Sequence, residues 1–193
     1  MDFRAIIMGL AFVIMWSSAF TSARIIVANA PPISALALRF LISGVIGIAI
    51  AKALGQTWKL TPVQWRATVI FGLSQNALYL GLNFVAMQTV DASLAAIIAS
   101  SMPLLVAVAS WGIFGQRIGA MGFAGLVAGT LGVMIIMGSR LQGGADPYGV
   151  VLCVVGVVAL TIATLAVRGA SSGGNLLMIA GLQMLVGAAA LGL

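Results

Sequence analysis

Long apolar stretches, broken at wide intervals by single charges, set the pattern of this chain. Residues 5–23, 67–90, 92–116, 118–139, 147–167 and 169–193 each run 19 to 25 residues without a charged side chain. A helix needs about 20 apolar residues to cross the hydrocarbon core of a bilayer. The one dense interruption is 24–66, where Arg24, Arg39, Lys52, Lys59 and Arg66 fall. Within it, residues 33–51 still read as a span, opened by Pro31-Pro32 and carrying Arg39. The pattern therefore predicts seven helices, over about 5–27, 33–52, 66–86, 92–115, 118–138, 148–168 and 176–193.

The punctuation agrees. Asn29-Ala30-Pro31-Pro32 stops and restarts the chain, Gly55 to Pro62 reads as a polar loop, and Asp91 stands at an N-cap position before Ala92-Ser93. Gly115-Gln116-Arg117 makes a tight connector, Gln142 to Pro147 a flexible turn, and Ser171-Ser172-Gly173-Gly174-Asn175 parts the last two helices. The N-terminal run imitates a signal peptide, but it is too long for an apolar signal core and further spans follow, so it reads as a retained first helix.

Composition closes off the soluble alternatives. Apolar residues make up 62% of the 193 positions, charged residues 6%, and mean hydropathy is +1.21. A soluble domain carries about a quarter charged residues, so this chain lacks the polar side chains to clothe a globule in water. The net charge of +6 comes from scattered single cations rather than a patch, which argues against nucleic acid and for membrane loops. With the N-terminus in the cytoplasm, Arg4, Lys52, Lys59, Arg66, Arg117 and Arg168 fall inside. Arg24 and Arg140 fall outside beside Asp91 and Asp146, with Arg39 as a third candidate there, as the positive-inside rule expects.

There is no histidine and a single cysteine, Cys153, within an apolar run. No disulfide within the chain, no metal constellation and no cofactor motif follow from that set. Nor is there a Ser/His pair or paired Asp for an intramembrane enzyme.

Polar side chains inside spans face a bundle interior or a wet cavity. The first helix carries Trp16, Ser17, Ser18, Thr21 and Ser22. The third carries Gln75, Asn76, Tyr79 and Asn83, with 76, 79 and 83 at i, i+3 and i+7 on one helical face. The fourth has Ser100 and Ser101 just before Pro103, a mid-helix proline that kinks its helix. The hydroxyls have an ordinary alternative in bonding their own helix carbonyls; the third-helix amides have one in helix–helix packing.

Arg39 lies about 9 Å below the surface at 1.5 Å per residue. An Arg at mid-bilayer costs about 2.5–3.5 kcal/mol, so it either serves a site or snorkels back to headgroups. No carboxylate lies deep in a span. Gly119, Gly122, Gly125, Gly129 and Gly132 form a small-residue stripe on the fifth helix, suited to packing within the bundle or to a homo-oligomer.

These features together resemble the EamA branch of the drug/metabolite transporter superfamily. Trp16-Ser17-Ser18-Ala19-Phe20 is similar to that family's W-G-S-x-F, and Leu38-Arg39-Phe40 to its L-R-F. Ala92 to Pro103, A-S-L-A-A-I-I-A-S-S-M-P, is similar to its A-S-L-A-A-L-I-x-S-x-x-P stretch. Gln116 departs from the usual Glu of the G-E-R-L connector.

The resemblance implies an all-α, polytopic bundle of ten helices built as two inverted five-helix halves. In that arrangement residues 1–140 form the first repeat and 147–193 an incomplete second, with Arg39-Phe40-Leu41 matching Gln183-Met184-Leu185. Seven helices of ten would make this a truncated chain that does not transport alone, since an inverted-repeat site needs both halves.

The function implied is export of small metabolites such as amino acids by alternating access, from a bacterial inner membrane with the N-terminus cytoplasmic. Trp16, Ser17, Ser18, Arg39, Gln75, Asn76, Tyr79, Asn83, Ser100 and Ser101 are the expected path residues. The cations favour a solute with a carboxylate or another anionic group. A non-transporting membrane scaffold or assembly subunit, using the glycine stripe to hold a partner, is the alternative.

Overall fold

In hydrocarbon every backbone N–H and C=O must be paired within the protein, and a helix does this segment by segment. The computed structural model describes residues 3–168, 170 and 173–192, with the side chains of 140–142 outside that set. The expectations placed on the Arg140 and Gln142 side chains and on Ser171 and Ser172 thus lie outside the described residues. Regular structure among the described residues is entirely helical: α1 (Phe3–Asn29), α2 (Pro32–Ala53), α3 (Pro62–Ala86), α4 (Ala92–Phe114), α5 (Ala120–Gln142), α6 (Pro147–Ala166) and α7 (Leu176–Gly192). The first six are long and apolar enough to cross a membrane.

Two helices differ from the pattern-based expectation, each for local reasons. The third helix starts four residues earlier than residue 66. Thr61 and Gln64 form a reciprocal capping box and Pro62 supplies the first helical position. Within α3, Gly72–Tyr79 is π-helical between two α-helical segments. The fourth helix is broken rather than only bent: Ala92–Ala99 and Met102–Phe114 are separate α segments. Pro103 lies in the first turn of the second segment, where its missing N–H costs nothing. Asp91 stands at the N-cap of α4, but its side chain makes no capping bond.

The helices alternate in direction. Thr57 N–H donates to Asn175 Oδ1 (2.9 Å), Met178 N–H donates to Gln56 Oε1 (3.0 Å), and at the far end Ile33 and Leu191 both approach Gly81. So α2 and α7 are antiparallel, while α3 runs with α7. Gly149 meets Val90 and Gly156 meets Tyr79 and Asn83, which sets α6 antiparallel to α3. Alternation gathers Arg4, Lys52, Lys59, Arg66, Arg117 and Arg168 at one end of the bundle, here called the basic end. Arg24, Asp91 and Asp146 lie at the opposite end.

At the basic end, the Arg168 guanidinium donates to Ser110 Oγ (2.8 Å) and Gln116 Oε1 (3.0 Å), tying the end of α6 to the end of α4.

The core sits around α3, where Tyr79, Phe84 and Met87 pack with Leu94 and Ile98 of α4 and Cys153, Val157 and Leu160 of α6. Close backbone approach occurs where α7 docks. A Cβ on Gly44 would lie 3.0 Å from Gly181 O, one on Gly181 3.0 Å from Gly44 O, and one on Gly72 2.8 Å from Gln183 O. The fifth-helix glycines do not play this part. Gly119, Gly125 and Gly132 have no neighbour within 4 Å, and only Gly129 meets another helix, at Leu104. Helix α5 buries no residue from Ala120 to Ser139, and α1 is exposed from Phe3 to Ser18. Those faces carry Ile, Val, Leu, Met and Phe, the surface a bilayer solvates.

Candidate functional site

A cavity of about 130 Å³ lies between α1, α2 and α3. Trp16, Ala19, Phe20 and Ala23 line it from α1, Arg39 from α2, and Gln75, Tyr79, Leu80, Asn83, Phe84 and Met87 from α3. The α1 residues are spaced i, i+3, i+4, i+7, so one stripe of that helix faces in. Trp16 stacks on Phe12 at 5.6 Å between ring centroids and meets Phe20 edge-on at 6.4 Å. One wall is therefore a continuous aromatic face.

The π-helical segment decides which α3 side chains share the cavity. A wider turn shifts the register, so 75, 79, 83 and 87, each four apart, form the cavity stripe. Asn76 does not join Tyr79 and Asn83, as a uniform 3.6-residue period would have it. It turns to α7, where Nδ2 donates to Gln183 O at 2.8 Å beside Gly187.

Asn83 is 1% exposed, and its Nδ2 donates to Tyr79 O at 2.8 Å. Its Oδ1 is buried without a hydrogen-bond partner among the described residues. Gly156 of α6 makes room behind it: a Cβ there would stand 2.8 Å from Asn83 Nδ2. An unpaired buried acceptor costs about 1–3 kcal/mol, which a ligand donor would recover. Arg39 makes no hydrogen bond or ion pair with any described residue. Arg24, the other arginine near this end, is engaged, with Nη1 donating to the Met87 carbonyl at the end of α3. There the helix dipole also favours a cation.

The remaining sequence candidates lie elsewhere. Ser17 donates to Val13 O (2.8 Å) and Ser18 to Met15 O (3.0 Å), both on the exposed side of α1. Ser100 and Ser101 each donate to a carbonyl three residues back at 2.6 Å, in the break of α4. The residues that sequence reasoning left out are the apolar lining, Ala19, Phe20, Ala23, Leu80, Phe84 and Met87. The four-residue spacing of 75, 79, 83 and 87 was the signal for the α3 part. No group of three or more metal-ligating side chains occurs among the described residues.

The model of the EamA-like transporter family matches residues 3–138. Over 179 residues the chain is 26% identical to the uncharacterized transporter YvbV of Bacillus subtilis, covering 92% of this chain and 58% of that protein. It is 28% identical over 151 residues to the uncharacterized inner membrane transporter YedA of Escherichia coli K12, covering 77% and 48%. An uncharacterized transporter of Archaeoglobus fulgidus is 30% identical over 154 residues, covering 79% and 53%. The chain thus spans about half the length of these relatives. No solved structure matches.

Proposed function

The chain belongs to the EamA-like transporter family, and from that premise we propose that it carries the solute site of an exporter of small metabolites. The observation that bears the proposal is the α1–α2–α3 cavity. It sets an unpaired arginine and an unpaired amide oxygen against an aromatic wall within a membrane-spanning bundle. An amino acid suits this set. Its carboxylate meets Arg39, an ammonium N–H meets Asn83 Oδ1, and an apolar side chain lies on Trp16, Phe20 and Phe84.

In this reading residues 1–140 form a five-helix unit and 147–193 begin a second of opposite orientation. The antiparallel α2 and α7, starting at opposite ends, support that division. Solute moves by alternating access of the two units. The membrane is a bacterial inner membrane with the N-terminus cytoplasmic, a location YedA's name carries for that relative.

Uptake of radiolabelled leucine and phenylalanine into proteoliposomes tests the reading. Arg39→Gln removes the cation, and flux is expected to fall tenfold or more, equivalent to about 1.4 kcal/mol. Unchanged flux would remove Arg39 from the site. A scaffold role has the uncovered glycine face of α5 in its favour. Absence of flux for every labelled solute, with a partner held through α5, would decide for it.

A further inference from the structure

A second cavity, of about 210 Å³, lies between α3, α6 and α7 in the half of the bundle nearer the basic end. Its lining is Gln64, Ala67, Thr68 and Phe71 of α3, with Val167, Ala170, Leu176, Ile179, Ala180 and Gln183 from the end of α6 to α7. None of these residues is charged. We propose that this cavity is a second solute site, one that takes an uncharged hydrogen-bonding group such as an amide or a hydroxyl.

Thr68 carries the argument. A threonine in a span ordinarily returns its hydroxyl to a carbonyl one turn back, and Thr130, Thr161 and Thr164 do so here at 2.8, 2.8 and 2.9 Å. Thr68 is 0% exposed, and its Oγ1 has no partner among the described residues. A buried, unpaired hydroxyl on a residue that lines a cavity is a group a small movement would offer to a ligand. Gln183 of α7 lines the same cavity, with its backbone carbonyl taken by Asn76.

The cavity is not the inner end of the arginine-lined one. Between them Gly72 is pressed onto α7, and Asn76 bridges to Gln183 O. The outer part of α3, from Gln75 on, lines the first cavity, and its inner part, up to Phe71, lines the second. Arg39 is the eighth residue of α2 and Gln183 the eighth of α7, and the two helices start at opposite ends. One register position therefore presents a cation to one cavity and a neutral amide to the other. A solute crossing the bundle would meet a site selecting for hydrogen bonding and a separate site selecting for charge. The second site stands independently of the Arg39 reading.

The test pairs a neutral probe with its charged isostere, propionamide against propionate. In the protein with Cys153→Ala, single cysteines at Gln75→Cys and at Ala180→Cys, which lines the second cavity and leaves Thr68 in place, are labelled with N-ethylmaleimide in membranes. Propionamide is expected to slow labelling at position 180 about threefold at twice its Kd, by the factor 1 + [L]/Kd. Propionate should leave it unchanged.

The order should reverse at position 75, which reports on the arginine cavity alone. No labelling at 180, equal protection by both probes, or protection by neither would overturn the second site whatever happens at 75.

A measurement without cysteine guards against misfolding. Propionamide should raise the thermal unfolding temperature of the unsubstituted chain but not of Thr68→Val, which keeps shape and loses the hydroxyl. An equal rise in both would also overturn the proposal.

Discussion

The two asparagines of α3 lie nearly two turns apart yet have different work. Asn76 Nδ2 bonds the Gln183 carbonyl across the α3–α7 contact, whereas Asn83 keeps an unpaired Oδ1 at the cavity. Asn76→Leu should therefore lower the unfolding temperature by the equivalent of about 0.5–1.5 kcal/mol, the net worth of one hydrogen bond, while folded molecules keep their solute affinity. Asn83→Leu should do the reverse, weakening labelled-solute binding tenfold or more with unfolding unchanged or raised. Thermal unfolding and equilibrium binding on the two variants check this; parallel losses in both would dissolve the division. The sequence made this cluster visible because four polar side chains within nine residues of a span are costly. It could not show the split, since the partition depends on π turns at Gly72–Tyr79, and apolar periodicity assumes α-helical turns throughout. Ser17, Ser18, Ser100 and Ser101 looked equally polar in sequence, but each satisfies itself on its own helix.

At the scale of helices, span positions were legible because charge-free intervals must match the bilayer, while packing was not. A run of glycines on α5 reads as a contact surface, yet the tight crossings use isolated glycines on three other helices, Gly44, Gly72 and Gly181. Glycine spacing shows where a helix can be approached; the approaching helix is set by the tertiary arrangement. Gly181→Ala should cost about 1–3 kcal/mol, because a Cβ 3.0 Å from Gly44 O and Ile48 N meets backbone that cannot rotate aside. Gly125→Ala, with no neighbour within 4 Å, should be neutral or slightly stabilising through helix propensity.

Helix ends offer a pH test. Asp146 caps α6 through Tyr148 N–H (3.2 Å) and Gly149 N–H (3.1 Å) and accepts the Thr89 hydroxyl at 2.6 Å. The Thr89 bond, the largest influence, holds its carboxyl below its ordinary 3.8; burial, the next, pushes the other way, and the Gly149 and Tyr148 N–H groups add to the lowering. A carboxyl lowered on folding contributes stability above its unfolded pKa and loses it as pH falls through the folded one. Unfolding temperature should be insensitive to this group from pH 5 to 8 and fall below about pH 3.8; Asp146→Asn should lose that acid limb and keep the rest.

Over the whole molecule, sidedness follows from charge once the helices alternate. Six cations stand at the basic end, and Arg24 and Arg140 belong to the helix ends at the other. Each cation near an anionic leaflet is worth about 1 kcal/mol, so the excess of four favours the basic end facing such a leaflet by roughly 4 kcal/mol. Arg39 does not enter the count, since it sits within the span. Arg24 is engaged with the Met87 carbonyl and counts weakly for the opposite side. The cytoplasmic leaflet is the anionic one, and basic loops are the ones retained there. The N-terminus and the loop containing Thr57 should thus be cytoplasmic, with Gly143 external. Both positions are exposed, so cysteine substitution at either in a Cys153→Ala chain should report side rather than depth. An impermeant maleimide added outside intact cells should label Gly143→Cys and reach Thr57→Cys only after lysis. Labelling of Thr57→Cys alone would invert the molecule and place the Thr68 cavity on the outer side. Labelling of both in intact cells would mean dual insertion, which an excess of roughly 4 kcal/mol should prevent. If the labelling places the basic end in the cytoplasm, and on the export reading proposed above, a cytoplasmic solute would meet Thr68 and Gln183 first and Arg39 afterwards. A carboxylate-bearing solute would then be held most firmly on the far side of the Gly72 contact, so weakening Arg39 should slow its arrival there more than its entry.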